Sequence, residues 1–136
     1  MAARSKARKR ALDVLYEADI RGVDPSEVLT VHEAEATSPM NAYVREVVTG
    51  VTDHRGRIDD LISTYAEGWT LDRMPVVDRN ILRLGCWEVM WGDVPDPVAL
   101  SEAVALATSL STDDSPGYVN GVLGRLAKVK PRLTLD

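Results

Sequence analysis

The spacing of apolar residues constrains the fold of this chain more than any other feature. Apolar residues recur at intervals of three and four, and nowhere do four or more residues alternate cleanly between apolar and polar, as a half-buried strand would. Glycine and proline divide the pattern into short segments. The pattern predicts an all-α protein, a compact bundle of about seven helices joined by short loops.

Capping residues predict where the helices begin and end. An apolar face over Arg4–Arg21 stops at Gly22, and Asp24-Pro25 followed by Glu27 predicts a second helix that runs to about Glu35. We expect five further helices: two that start after Ser38-Pro39 and are separated near Asp53–Arg57, one that starts near Pro75, one through Leu100–Leu110, and one from Ser115 to Pro131.

The segment Asp72–Met90 is apolar on nearly every side, as a central helix requires. We therefore expect two helical sub-bundles around it. Glu88 falls within its apolar stripe, where a carboxylate must find a partner or become protonated. Capping of another helix or pairing with an arginine is favoured over catalysis.

Composition restricts the class of protein. The 136 residues, 45% apolar and 27% charged, predict a single folded domain over residues 1–136. Cys86 is the only cysteine, and His32 and His54 lack the spacing of metal ligands, so we expect neither a disulfide framework nor a metal or other cofactor. No apolar run approaches the ~20 residues of a membrane helix. We expect a soluble, cytoplasmic protein without a membrane partner.

The net charge of −5 hides an asymmetry along the chain. Residues 1–12 lead into helix one with a charge of +5 and no acid, residues 125–136 carry +3, and the rest carries −13. Bases at a helix N-terminus oppose the helix dipole, so they favour a role in neutralising phosphate over a solubilising terminus. The candidate RNA-binding bases are Arg4, Lys6, Arg8, Lys9 and Arg10.

Two further clusters are candidates for binding. Tyr118, at the start of the last helix, could stack an unpaired base while Asn120 bonds a base edge, or Tyr118 could pack on a neighbouring helix. Tyr16 and Ile20 are one turn apart and off the core stripe, so they could seat a partner protein or lie under a loop. No Ser, His and Asp arrangement can be assembled, so we do not expect an enzyme.

Four segments together resemble the NusB family of bacterial transcription antitermination factors: residues 7–12 with Leu15-Tyr16, residues 77–84 with Trp87-Glu88, residues 98–106, and residues 114–123. The resemblance implies a NusB-like fold that binds the boxA element of ribosomal RNA leader transcripts as single-stranded RNA, together with NusE, a small-subunit ribosomal protein. Other Nus factors and RNA polymerase would be indirect partners. The function implied is non-catalytic: transcription antitermination in ribosomal RNA operons.

The resemblance also implies roles for single residues. An arginine-rich RNA-binding segment of the family is matched by Arg4, Arg8, Lys9 and Arg10, and a basic position beside it is matched by Arg79. Tyr118 matches an RNA-contacting aromatic, which is usually phenylalanine, and Asp114 matches a position that modulates RNA affinity. The positions that face NusE are matched by Tyr16, Tyr65 and Asp78. Residues 30–40 match nothing and receive no role. Some family members self-associate, so the alternative is a homodimeric protein-binding helical module without specific RNA affinity.

Overall fold

The computed structural model describes residues 2–133, and every regular element in that range is helical. Its seven α-helices are α1 (Ala3–Arg21), α2 (Pro25–Glu35), α3 (Ala42–Asp53), α4 (Arg55–Tyr65), α5 (Val76–Trp91), α6 (Asp96–Leu110) and α7 (Ser115–Val129). Two 3-10 turns, Leu71–Arg73 and Lys130–Arg132, complete the regular structure. The predicted all-α class and the number of helices are confirmed.

Local capping explains one end of each of the first three helices. Gly22 terminates α1 in a left-handed conformation with φ of 67°, which glycine adopts without steric cost. The Asp24 side chain accepts a hydrogen bond of 2.8 Å from the Ser26 amide at the start of α2. α3 begins at Ala42, later than predicted from Pro39, because the Asn41 side chain caps the Tyr43 amide at 2.8 Å.

Helix α5 is the centre of the molecule. All residues from Asn80 to Met90 are buried, and α5 packs against α1, α3, α4, α6 and α7. Helices α1, α2 and α3 pack on one another as one group, while α7 packs on both α4 and α6 as a second. The predicted arrangement of two sub-bundles around a central helix is confirmed.

One glycine permits a close helix crossing. A Cβ atom added to Gly50 of α3 would lie 2.1 Å from Trp87 Nε1 of α5, closer than packed atoms can approach. The absence of a side chain at Gly50 therefore lets the indole lie against the α3 backbone.

The state of Cys86 and the apolar character of the helices also bear on the sequence analysis. Cys86 is a free thiol buried in α5, and burial raises its pKa to about 12. Among residues 2–133, no helix combines the length and the apolar character needed to cross a membrane.

Candidate nucleic-acid interface

The structure divides the five N-terminal bases by their partners, beginning with Arg8. Arg8 is 3% exposed, and its Nε lies 3.0 Å and 2.8 Å from the two carboxylate oxygens of Glu88. Glu88 is fully buried and also accepts a hydrogen bond from the Tyr43 hydroxyl. Glu88 therefore pairs with an arginine, as expected. RNA contact by Arg8 stays a prediction, which the pairing of its buried guanidinium with a core carboxylate does not favour.

Two more bases are occupied within the molecule. Arg4 lies 3.2 Å from Asp93, and its guanidinium carbon lies 4.2 Å from the centre of the Tyr43 ring. Lys9 Nζ lies 2.7 Å from the Asp13 carboxylate, one turn along α1. Both side chains are nearly half exposed, so solvent can reach them, but their positive charges are partly neutralised by the paired carboxylates.

Lys6 and Arg10 are the remaining two bases of the segment. Both are exposed, and neither forms an ion pair with any residue between 2 and 133. They are one helical turn apart and line the same groove, which has a volume of about 410 Å³. The opposite wall is formed by residues 36–41, which include the hydroxyls of Thr37 and Ser38. The sequence assigned no role to residues 36–40, yet they complete the least neutralised basic surface of α1.

Arg79, predicted to lie beside the basic segment, belongs to a second ion-pair network. Its Nε and Nη2 lie 2.7 Å and 2.8 Å from the two Asp19 oxygens. Burial opposes ionisation of Asp19, but hydrogen bonds from Arg79 and Asn80 and the charges of Arg79 and Arg83 outweigh it and lower the pKa of Asp19 to about 2. Arg79 is 18% exposed, so its principal role in this structure is to hold α5 against α1.

Asp78, expected to face a partner protein, is buried instead. Its carboxylate accepts hydrogen bonds from the Ser111 hydroxyl and from the Ser115 hydroxyl at 2.8 Å. Ser111 follows α6 and Ser115 opens α7, so Asp78 fixes the connection between these helices. A partner contact by Asp78 stays a prediction, and in this structure its carboxylate positions the α7 N-terminus.

The α7 N-terminus carries the predicted aromatic residue, and the structure adds a second aromatic to it. The Tyr118 and Trp69 rings pack edge to face, with centroids 5.4 Å apart and planes at 62°. They line an open groove of about 580 Å³ together with Glu67, Thr112 and Asp114. Asp114 is exposed and makes no side-chain cap. The sequence analysis did not identify Trp69 and Glu67 as groove residues. A tryptophan in the loop sequence Glu-Gly-Trp-Thr could have indicated an exposed aromatic side chain.

Asn120 does not join this groove. It is exposed on α7, but two residues correspond to about 200° of helical rotation, so it faces away from Tyr118. The structure therefore separates these two predicted RNA contacts onto different faces.

The predicted protein-binding residues also fall into separate places. Tyr16 is 40% exposed and Ile20 57% exposed, so no loop covers them, and Tyr16 lines a small groove with Val77 and Leu110. Tyr65 is half-buried at the end of α4, where its carbonyl accepts a hydrogen bond of 2.9 Å from Arg125. Tyr65 is thus part of the α4–α7 packing and is absent from the lining of the Tyr16 groove.

The histidines occupy ordinary structural positions. His32 lies 3.0 Å from a Glu17 oxygen, and the His54 ring stacks on Trp91 with centroids 4.2 Å apart. Within residues 2–133, no cluster of three or more His, Cys, Asp or Glu side chains could hold a metal ion.

Comparison with known proteins identifies the family. The model of the NusB family matches residues 5–128. The chain belongs to the NusB family. The transcription antitermination protein NusB of Nocardioides sp. is 58% identical over 134 residues, covering 98% of this chain and 99% of that protein. The resemblance predicted from four sequence segments is therefore confirmed.

Solved structures share the fold. NusB of T. maritima is 32% identical with a TM-score of 0.81, covering 96% of this chain and 97% of that one. A chain from the crystal structure of the antitermination factors NusB and NusE in complex with double-stranded RNA is 28% identical with a TM-score of 0.84, covering 95% and 98%. The helical arrangement described above is thus the NusB fold.

Proposed function

We propose that this chain is a single-domain, non-catalytic RNA-binding antitermination factor of the NusB family. It binds the boxA element of ribosomal RNA leader transcripts together with NusE and helps RNA polymerase, through other Nus factors, to resist termination. It acts in the cytoplasm, where those transcripts are made. The observation that carries the RNA-binding part is the groove shared by Lys6 and Arg10. Family membership and a related structure that contains NusB, NusE and double-stranded RNA support the rest.

The charge distribution favours RNA contact at that groove. The body of the protein is acidic, so phosphate is repelled from most of its surface. Lys6 and Arg10 are exposed without a neutralising partner among the described residues, whereas Arg8 is buried in an ion pair with Glu88. Contacts to unpaired bases belong to Tyr118, whose groove lies near the α6–α7 connection. Single-stranded RNA offers both phosphates and unstacked bases.

NusE binding belongs to a different surface. Tyr16 and Ile20 expose an aromatic and an aliphatic side chain one turn apart, and Leu110, 39% exposed, lines the same groove as Tyr16. An exposed aromatic within a small apolar patch is typical of protein interfaces. We assign this patch to the ribosomal partner.

The test is a titration of fluorescent boxA RNA and a scrambled control at several salt concentrations, with and without NusE. Arg10→Ala should weaken RNA binding and reduce the slope of log affinity against log salt by about 0.7, which corresponds to one phosphate contact. Arg21→Ala is the control, because Arg21 lies about 16 Å along the helix axis from Arg10 and pairs with Glu17 at 2.9 Å. Equal slopes for both variants would refute the groove assignment.

The same titration separates the alternative. A homodimeric protein-binding module without specific RNA affinity predicts a dimer in light scattering and equal, weak binding of both RNAs. A boxA preference that strengthens with NusE supports the antitermination factor.

A further inference from the structure

The groove beside α1 brings a lysine amine and an arginine guanidinium together without an acid. Lys6 and Arg10 both line it, and residues one helical turn apart have Cβ atoms about 5–6 Å from each other. Both side chains are exposed, and none of the described residues that line the groove is acidic. The Lys6 amine is therefore open to an anionic reagent that enters the groove.

The four lysines of the chain differ in their partners. Lys9 pairs with Asp13 at 2.7 Å, and Lys130 pairs with Asp96 at 3.2 Å. An ion pair favours the protonated ammonium, which lacks the electron pair that a nucleophile needs. Lys6 and Lys128 are exposed and have no ion pair within residues 2–133, but Lys128 lies in the last turn of α7 and does not line the groove.

Arg10 and two hydroxyl groups can hold a phosphate near the Lys6 amine. A guanidinium binds phosphate through two parallel hydrogen bonds. The hydroxyls of Thr37 and Ser38 also line the groove, and neither forms a hydrogen bond within residues 2–133, so each is free to donate to a phosphate oxygen. The volume of about 410 Å³ lies within the range of small-molecule sites, about 300–1,000 Å³.

We propose that this groove binds an acyl phosphate, which acylates the Lys6 amine. The neutral Nζ attacks the acyl carbon, so that a C–N bond forms and the bond from the acyl carbon to the phosphate oxygen breaks. Inorganic phosphate leaves with the electron pair of that bond, and the nitrogen releases its extra proton to solvent. Arg10 holds the phosphate and stabilises the charge that develops on the leaving oxygen.

The consequence of acylation rests on the proposed RNA-binding function, whereas the chemistry does not. The amide product carries no charge, so the groove loses one of its two unpaired positive charges. Acylation of Lys6 should therefore lower the salt slope of RNA binding by about 0.7, the value of one phosphate contact. The groove thus links RNA affinity to the supply of acyl phosphate.

Incubation of the unmodified full chain with acetyl phosphate tests the proposal, with acetylation at each lysine followed by peptide mass spectrometry. Lys6 should react at least about 10-fold faster than Lys128, because a cleft of opposite charge raises the local anion concentration by about 10- to 1,000-fold. Lys128 is the internal reference, since it is exposed and unpaired but outside the groove. Equal rates at the two lysines would overturn the inference. This comparison needs no variant.

A neutral acyl donor isolates the contribution of Arg10. Arg10→Ala should slow acetylation of Lys6 by acetyl phosphate toward the rate at Lys128, and Arg10→Lys should restore part of the difference. The acetyl ester of N-hydroxysuccinimide carries no phosphate, so the loss of rate with this donor should be much smaller. Losses of equal size with both donors would overturn phosphate binding by Arg10.

The failure of this inference can be told apart from that of the proposed function. Lys6→Gln, which removes the charge as acylation does, should lose about 0.7 from the boxA salt slope. That loss together with equal acetylation of Lys6 and Lys128 overturns the inference and supports RNA binding. Selective acetylation of Lys6 in a chain that does not bind boxA RNA supports the acyl phosphate site and overturns the proposed function.

Discussion

Removal of the Arg8 side chain provides a quantitative test of the core ion pair. Arg8→Met keeps much of the side-chain volume but leaves Glu88 fully buried with the Tyr43 hydroxyl as its remaining partner. Removing one partner of a buried pair costs about 3–5 kcal/mol, because the other charge stays in the core without compensation. Arg8 and Glu88 are both almost inaccessible to solvent, so solvent screening does little to reduce this cost.

The expected shift in melting temperature follows from chain length. For 136 residues, with an unfolding entropy of roughly 2.1 cal/mol/K per residue, 1 kcal/mol corresponds to about 3.5 °C. Arg8→Met should therefore lower the melting temperature by roughly 10–17 °C in far-ultraviolet circular dichroism. Lys9→Met is the matched control on the same helix: its partly exposed pair with Asp13 contributes at most about 1 kcal/mol.

A double variant shows whether the uncompensated charge is the cause. Glu88→Gln combined with Arg8→Met removes the charge and keeps an acceptor for the Tyr43 hydroxyl, so it should recover most of the lost stability. RNA binding measured well below the melting temperature should keep its full salt slope in Arg8→Met. A variant that melts like the unmodified protein but loses about 0.7 from the salt slope would refute the assignment of Arg8 to the core.

Three further outcomes follow from the structure. The pKa of Asp19 is lowered to about 2 from an ordinary value of 3.8, so its ionised form should stabilise the fold by about 2 kcal/mol above pH 4. This contribution should be lost as pH falls through 2. In Asp19→Asn, the free energy of unfolding should therefore change less with pH over this range. Gly50→Ala should lower the free energy of unfolding, measured in urea, by about 1–3 kcal/mol, because the new Cβ would meet the Trp87 ring. Gly56→Ala, with open space around its Cβ, should raise the free energy of unfolding by about 0.5 kcal/mol. Tyr16→Ala should weaken NusE binding by at least about 1 kcal/mol in calorimetry while urea unfolding changes little, since Tyr16 is 40% exposed.

Helix ends could be predicted from sequence because their causes are local. Asp24 and the amide it caps are two residues apart, and Gly22 stops α1 through its own backbone conformation. The start of α3 was misplaced because Ser38-Pro39 has the same pattern as a helix opening. Asn41 caps the chain three residues after Ser38, and only its contact with Tyr43 identifies it.

The partition of the basic residues could not be predicted, because burial depends on contacts distant in sequence. Helical periodicity alone places Arg8 at the border of the apolar stripe of α1, from which its side chain can reach either the core or solvent. Sequence did show that Glu88 needs a partner, but the two residues are 80 positions apart and nothing local joins them. By contrast, the ion pair between Lys9 and Asp13 can be predicted from sequence, because the two residues have the i, i+4 spacing of a single helix.

Ion pairs within the protein leave few bases of the N-terminal segment free to contact phosphate. Within the N-terminal segment, the two unpaired bases Lys6 and Arg10 correspond to a salt slope of about −1.4 for single-stranded RNA. We expect stacked bases and a partner that holds RNA on the protein to add affinity to these contacts. Weak intrinsic electrostatic binding also limits association with unrelated RNA, because the acidic body adds repulsion wherever a groove is lacking. We therefore expect selectivity to come from base contacts and from assembly with a partner, and the basic helix to position the RNA.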